Sequence, residues 1–143
     1  MWRELVRSRF TDARFGEPAA ADEIARLEHE LRVAVPLELR DLLGETNGVR
    51  ANDGTPLVWS VAEIVDENRA FRSNKDFVEL YLPFDDLLFF GADGGGNQFA
   101  YRILGGRILE TSWIYRWDHE DDSRQWFAAD LREYFRRYGD SIK

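Results

Sequence analysis

The stretch from Leu87 to Tyr101, LLFFGADGGGNQFAY, constrains the fold more than any other part of the chain. Four large apolar residues in a row, Leu87 to Phe90, describe a strand covered on both faces. Gly94, Gly95 and Gly96 then permit positive φ and close backbone approach, so the chain can turn sharply. Beyond the turn, Phe99, Tyr101 and Ile103 fall on one face of an alternating run. Strand, tight connection and partnered strand make this segment the hinge of a central antiparallel sheet.

The elements before it read as helices. Trp2, Leu5, Val6 and Phe10 keep helical spacing over residues 2–10, and Thr11 to Glu17 is a polar loop. A second helix runs from Ala20 to Arg32, with Ile24, Leu27 and Leu31 on one stripe. Asp22 and Glu23 lie in its first turn, where negative charge suits the helix dipole. No Ser, Thr or Asn stands just ahead, which leaves a poor N-cap. Pro36 fits the first position of a third helix with the stripe Leu39, Leu42 and Leu43. Asn47-Gly48 supplies the left-handed residue that stops it. After a polar loop from Val49 to Thr55, Pro56 to Trp59 is a short strand. Ser60 with Glu63 three residues on forms a capping box for a helix carrying Val61, Ile64, Val65, Asn68 and Phe71 inward. Asn68 is the polar member of that stripe and reads as a hydrogen-bonded core or boundary residue.

Past the hinge, Gly105-Gly106 is a two-residue hairpin turn, with a strand returning over Arg107 to Thr111 and another over Ser112 to Trp117. Asp118 to Ser123 is a polar loop. Ser123 caps a last helix with Phe127, Leu131, Tyr134, Phe135 and Tyr138 on its inner stripe, ended by Gly139. The fold class is therefore α+β: a single domain over residues 1–143, with N-terminal helices and a C-terminal helix packed on a central, mainly antiparallel sheet.

Charge narrows the functional classes. The chain carries 27 acidic against 19 basic residues, a net of −8, and such a surface repels phosphate backbones. Direct nucleic-acid binding is disfavoured; the same field would attract a basic protein partner, though most acidic proteins have none. With no Cys, disulfides and thiolate metal sites are excluded. Neither a long apolar run nor a basic-then-apolar leader is present, so the expected location is cytoplasmic, with no membrane partner.

Catalytic chemistry finds little footing. The Gly-rich loop lacks the Lys-Ser or Lys-Thr of a P-loop and is followed by a strand, which makes it a turn. No cofactor motif is present. His29 and His119 are the only histidines, and no Ser lies in a Gly-x-Ser-x-Gly context. The run Asp118, His119, Glu120, Asp121, Asp122 lacks the alternating spacing and central Gly of a calcium loop. It reads as a solvated acidic loop, and as a patch facing a basic partner. No catalytic residue and no metal site are assigned. Trp113, Tyr115 and Trp117 fall on one face by alternation; core packing is one reading of them, and exposed interface aromatics beside the acidic loop another.

In order, the motifs resemble the SUKH superfamily. Its opening is matched by Glu23 to Leu31, Val35 to Leu43 and Thr46-Asn-Gly48; its next segment by Trp59 to Asn68, ending in Glu-Asn. Phe89 to Asn97 resembles its Gly-rich signature, and Trp117-Asp-His-Glu120 with the last helix its closing part. The resemblance spans about residues 20–138. It implies an α+β fold and no enzymatic activity. Many bacterial members are immunity proteins that neutralise a toxin; fungal members are scaffolding regulators of cell-wall synthesis and signalling. The expectation is an immunity protein that binds a cognate, basic toxin domain, a nuclease or other nucleic-acid-targeting toxin. The alternative is a non-enzymatic scaffold with endogenous partners. Asp93, Trp117, Asp118, Glu120, Asp121 and Asp122 are the expected contact residues.

Overall fold

The computed structural model describes residues 1–108 and 113–141. In chain order the elements are α1 (Trp2–Arg7), β1 (Arg14–Phe15), α2 (Ala21–Leu31), α3 (Leu37–Glu45), β2 (Val49–Arg50), β3 (Pro56–Val58), α4 (Val61–Ser73), α5 (Lys75–Leu80), β4 (Leu87–Ala92), β5 (Gln98–Leu104), β6 (Arg107–Ile108), β7 (Ile114–Asp118), β8 (Ser123–Ala128) and α6 (Leu131–Ser141). The α+β arrangement is as expected. A sheet ordered β4-β5-β7-β8 is antiparallel throughout, with β6 paired to β5, and a small antiparallel sheet runs β1-β2-β3. Trp59 N–H donates to Phe90 O at 2.7 Å and joins the two.

All six residues of β4 are buried, because the strand is covered on both faces. Phe89 lies in one aromatic cluster with Phe71, Phe84 and Trp117, while Phe90 meets Tyr101 and Tyr134 in another. A bulge around Phe90 shifts the β4–β5 register: Phe89 pairs with Ala100, and Gly91 with Phe99. The Leu57 carbonyl of β3 crosses directly over Gly91, where an added Cβ would overlap it. Only glycine permits that approach.

Helix starts follow local chemistry. Ser60 Oγ accepts from Glu63 N–H and the Glu63 carboxylate accepts from Ser60 N–H, the reciprocal box expected for α4. For α2, Glu23 reaches back to the Ala20 N–H at 3.0 Å, which offsets the missing hydroxyl cap. Asn68 is 1% exposed and holds α4 to β4: its Nδ2 donates to the carbonyls of Ile64 and Phe89, and its Oδ1 accepts from Phe89 N–H.

Several boundaries differ from the sequence reading. Ser123 opens strand β8, and Phe127 belongs to that strand rather than to the last helix. The true cap of α6 is Asp130, whose Oδ1 accepts from Glu133 N–H while Glu133 accepts from Ala129 N–H. Gly139 does not stop α6; it lies inside the helix, packed against Arg9. Helix α3 ends at Glu45 with Thr46 extended, one turn short of Gly48. The segments read as polar loops contain β1 and β2, two-residue strands too short to show a period. The strand expected over Arg107 to Thr111 starts as β6, after the two-residue turn at Gly105-Gly106. Its last three residues and Ser112 lie outside the described residues.

Candidate partner-binding surface

Two hairpin turns and the chain after α5 meet at one end of the large sheet. The β4–β5 turn is organised by Asp93. Its Oδ1 accepts from the N–H groups of Gly95 at 2.8 Å and Asn97 at 3.2 Å, and its Oδ2 accepts from Asn97 Nδ2 at 3.1 Å. With its amide group so occupied, Asn97 presents Oδ1 to His119, accepting from the backbone N–H at 3.3 Å and lying 3.0 Å from Nδ1. The Nδ1 of His119 is therefore the donor in that contact. Gly96 has φ +94°, and a Cβ there would stand 2.8 Å from His119 Cε1. The imidazole rests on the glycine face.

The β7–β8 turn holds the acidic run. Asp118 Oδ1 accepts from Glu120 N–H, and Asp121 Oδ1 accepts from Ser123 N–H, both at 2.9 Å. The Ser123 bonds hold the Asp121 carboxyl below the usual carboxylate range. Asp122 adopts φ +60° and ties three partners: Oδ1 accepts from Trp117 Nε1 at 2.7 Å and from Arg124 at 3.1 Å, and Oδ2 accepts from Leu82 N–H at 2.9 Å. Tyr81 OH donates to His119 O at 2.8 Å. Arg124 also reaches the carbonyls of Leu82 and Pro83. The three segments thus form one stitched surface.

The six expected contact residues do not share one role. Asp93 and Asp122 are occupied by internal hydrogen bonds and shape the turns. Trp117 is 3% exposed, edge-on to Phe71, Phe84 and Tyr81, so its ring is core and not interface. Core packing, one of the two readings of these aromatics, holds for Trp117; the exposed ring is Trp113, which precedes β7. Asp118 is half-buried. Glu120 and Asp121 face solvent freely. The positioning residues Tyr81, Asn97 and His119 were missed; their bonds span 22 and 38 residues, which no local pattern carries.

Among the described residues, no three His, Asp or Glu side chains gather as ligands for a metal ion. Among them, too, no helix is long and apolar enough to cross a membrane. The arrangement can present fixed carboxylates to a cationic partner.

Residues 21–135 match a SUKH family model described as SMI1-KNR4 cell-wall. No curated protein matches the chain.

Proposed function

Since the chain belongs to the SMI1-KNR4 family of SUKH domains, we propose that it is a cytoplasmic immunity protein, which binds a cognate basic toxin domain and blocks its action without catalysis. The family includes immunity proteins, and the observation that carries the reading here is the rigid acidic turn. Glu120 and Asp121 project from a hairpin whose backbone is fixed by Asp118, Asp122 and Tyr81. A hairpin backbone held in place loses little freedom on docking, and the field of its exposed carboxylates speeds encounter with a cationic partner. A nucleic-acid-targeting toxin is itself cationic, which makes it the complementary class.

The test is recovery of the tagged protein from its native cells at low and then raised salt. A single stoichiometric basic domain, weakened by salt, is the expected result. Glu120→Lys with Asp121→Lys should lower its affinity at least tenfold while the chain stays folded, with only the small drop in melting temperature that loss of the exposed Asp121–Ser123 bond brings. Asp122 is unsuitable for charge reversal, because its loss would unfasten Trp117, Arg124 and Leu82. Several housekeeping proteins and no toxin would favour a scaffold instead.

A further inference from the structure

The large sheet has two outer strands, β4 and β8, and the fold treats them differently. On the outer side of β4 the backbone groups already have partners. Asn68 takes both groups of Phe89, Arg72 donates to the Leu87 carbonyl at 3.1 Å, and Trp59 N–H donates to the Phe90 carbonyl at 2.7 Å. Side chains of α4 and the residue after β3 thus close that edge.

Strand β8 is paired only with β7. In an antiparallel ladder every second residue of such a strand turns its N–H and C=O away from its neighbour. Among the described residues, nothing outside β7 bonds the backbone of Arg124 to Ala128, and the Ser123 N–H is held by Asp121 within the turn. Nor does β8 carry the outward charge or the proline that blunts exposed edges. Its single charged side chain, Arg124, is turned into the fold, where it donates to the Leu82 and Pro83 carbonyls and to Asp122. The far end is less open. There the strand bulges between Trp126 and Ala128, and Arg137 lies 5.2 Å from the centre of the Trp126 ring. The open stretch is Ser123 to Trp126, with Gln125 and Trp126 exposed.

A row of donors and acceptors at the spacing of an extended backbone is complemented by another strand. The turn at its head carries Glu120 and Asp121 in solvent, which favours a strand with Lys or Arg at that end. A second copy of the chain would satisfy the backbone equally, but it would bring a charge of −8 against −8.

We propose that the β8 edge is a strand-addition site, and that its occupant is an extended segment of a cationic protein. The segment pairs along Ser123 to Trp126, with its basic residues beside the acidic turn. This rests on the reading of the chain as a binder of a basic protein, and adds the mode of contact: backbone hydrogen bonds that lengthen the sheet by one strand.

Amide hydrogen exchange on the full chain first identifies the outward residues of β8: of Gln125 and Trp126, the one whose N–H faces away from β7 exchanges fast. The probe is a short synthetic peptide of alternating Thr and Val with Lys-Lys at one end. One control carries N-methyl groups on consecutive residues, which remove the donors of both its edges; the other carries Glu in place of Lys. Binding is followed by fluorescence anisotropy and by backbone amide shifts and exchange. The parent peptide should bind at least tenfold more tightly than either control, with shifts concentrated in residues 118–128 and the outward β8 amides slowed at least tenfold. Proline at the fast-exchanging position, Gln125→Pro or Trp126→Pro, removes an outward N–H and no bond to β7, so it should weaken binding at least tenfold while circular dichroism still shows the folded chain. Gln125→Ala should bind as the parent does, because the contact is made by the backbone. The proposal is overturned if either control peptide binds as well as the parent peptide, if the parent peptide does not bind or shifts residues elsewhere, or if the folded proline variant binds normally. It is also overturned if sedimentation shows the chain pairing with itself through β8. Those failures would leave the salt-dependent recovery of a toxin, and its loss on charge reversal at Glu120 and Asp121, standing by themselves.

Discussion

Replacing Asn68 by Leu should be among the most damaging single changes of nearly constant volume in this protein. The Asn68 side chain fills the place of a neighbouring strand for Phe89, accepting from its N–H at 2.9 Å and donating to its carbonyl at 2.8 Å. Leucine leaves both backbone groups buried and unpaired. Each such group costs about 2 kcal/mol, or about 4 kcal/mol together. Added apolar burial returns roughly 1 kcal/mol, so the net loss is about 3 kcal/mol. Against a total stability of about 5–15 kcal/mol, that is a large fraction. Urea unfolding followed by tryptophan fluorescence reads it directly, since Trp59 and Trp117 are buried. At a urea slope of about 1–3 kcal/mol per molar, the midpoint should fall by at least roughly 1 M with the slope unchanged. A loss below about 1 kcal/mol at constant slope would refute the reasoning, because it would mean that Phe89 finds other partners. Asn68→Asp refines the test. Its carboxylate can still accept from the Phe89 N–H but faces the carbonyls of Ile64 and Phe89. Burial beside them raises its folded pKa, so stability is greatest at low pH and falls as pH rises through that value.

Two further changes probe the frame around the candidate surface. Gly91→Ala drives a Cβ into the Leu57 carbonyl and should cost about 3 kcal/mol or prevent folding, read by the same urea titration. Glu38 joins α3, β5 and α6, since one carboxylate oxygen accepts from Tyr101 OH at 2.8 Å and from Leu131 N–H at 3.0 Å. Burial pushes its carboxyl above the usual range, with the two hydrogen bonds opposing and the Asp130 charge adding to the rise. The stability tied to the raised pKa is fully present below the unfolded value and is lost as pH rises through the folded one. Glu38→Gln keeps an acceptor for both bonds and removes the charge, so its melting temperature should improve relative to the parent as pH climbs from 4 to 8. Glu38→Ala orphans the Tyr101 hydroxyl and should cost about 2 kcal/mol at low pH, the difference from the parent shrinking as pH rises through the folded Glu38 value.

What the sequence determined by itself follows from short-range rules. Helix stripes such as Ile24, Leu27 and Leu31 come from a period of 3.6 residues, and the Ser60–Glu63 box from a fixed spacing. The burial of β4 on both faces was legible in its unbroken apolar run, and the β5–β6 turn in its paired glycines. The cap of α6 was legible too, in Asp130 and Glu133, but the aromatic Phe127 drew the helix boundary too early. The acidic run was visible as composition, whereas the roles of its members were not. That Asp122 fastens Trp117 and Leu82, that Asn97 seats His119, and that Trp117 is core all depend on pairings 5 to 40 residues apart. A register shift in β7–β8 and the Phe90 bulge decide which side chains face inward, because one residue of slip exchanges the faces of a strand. Local propensity has no access to such shifts. The exposure of Val78, Leu80 and Leu82 has the same origin: Phe77 and Tyr81 could be assigned inward only once Phe71 and Trp117 were in place to receive them, and that choice left the other three to the solvent.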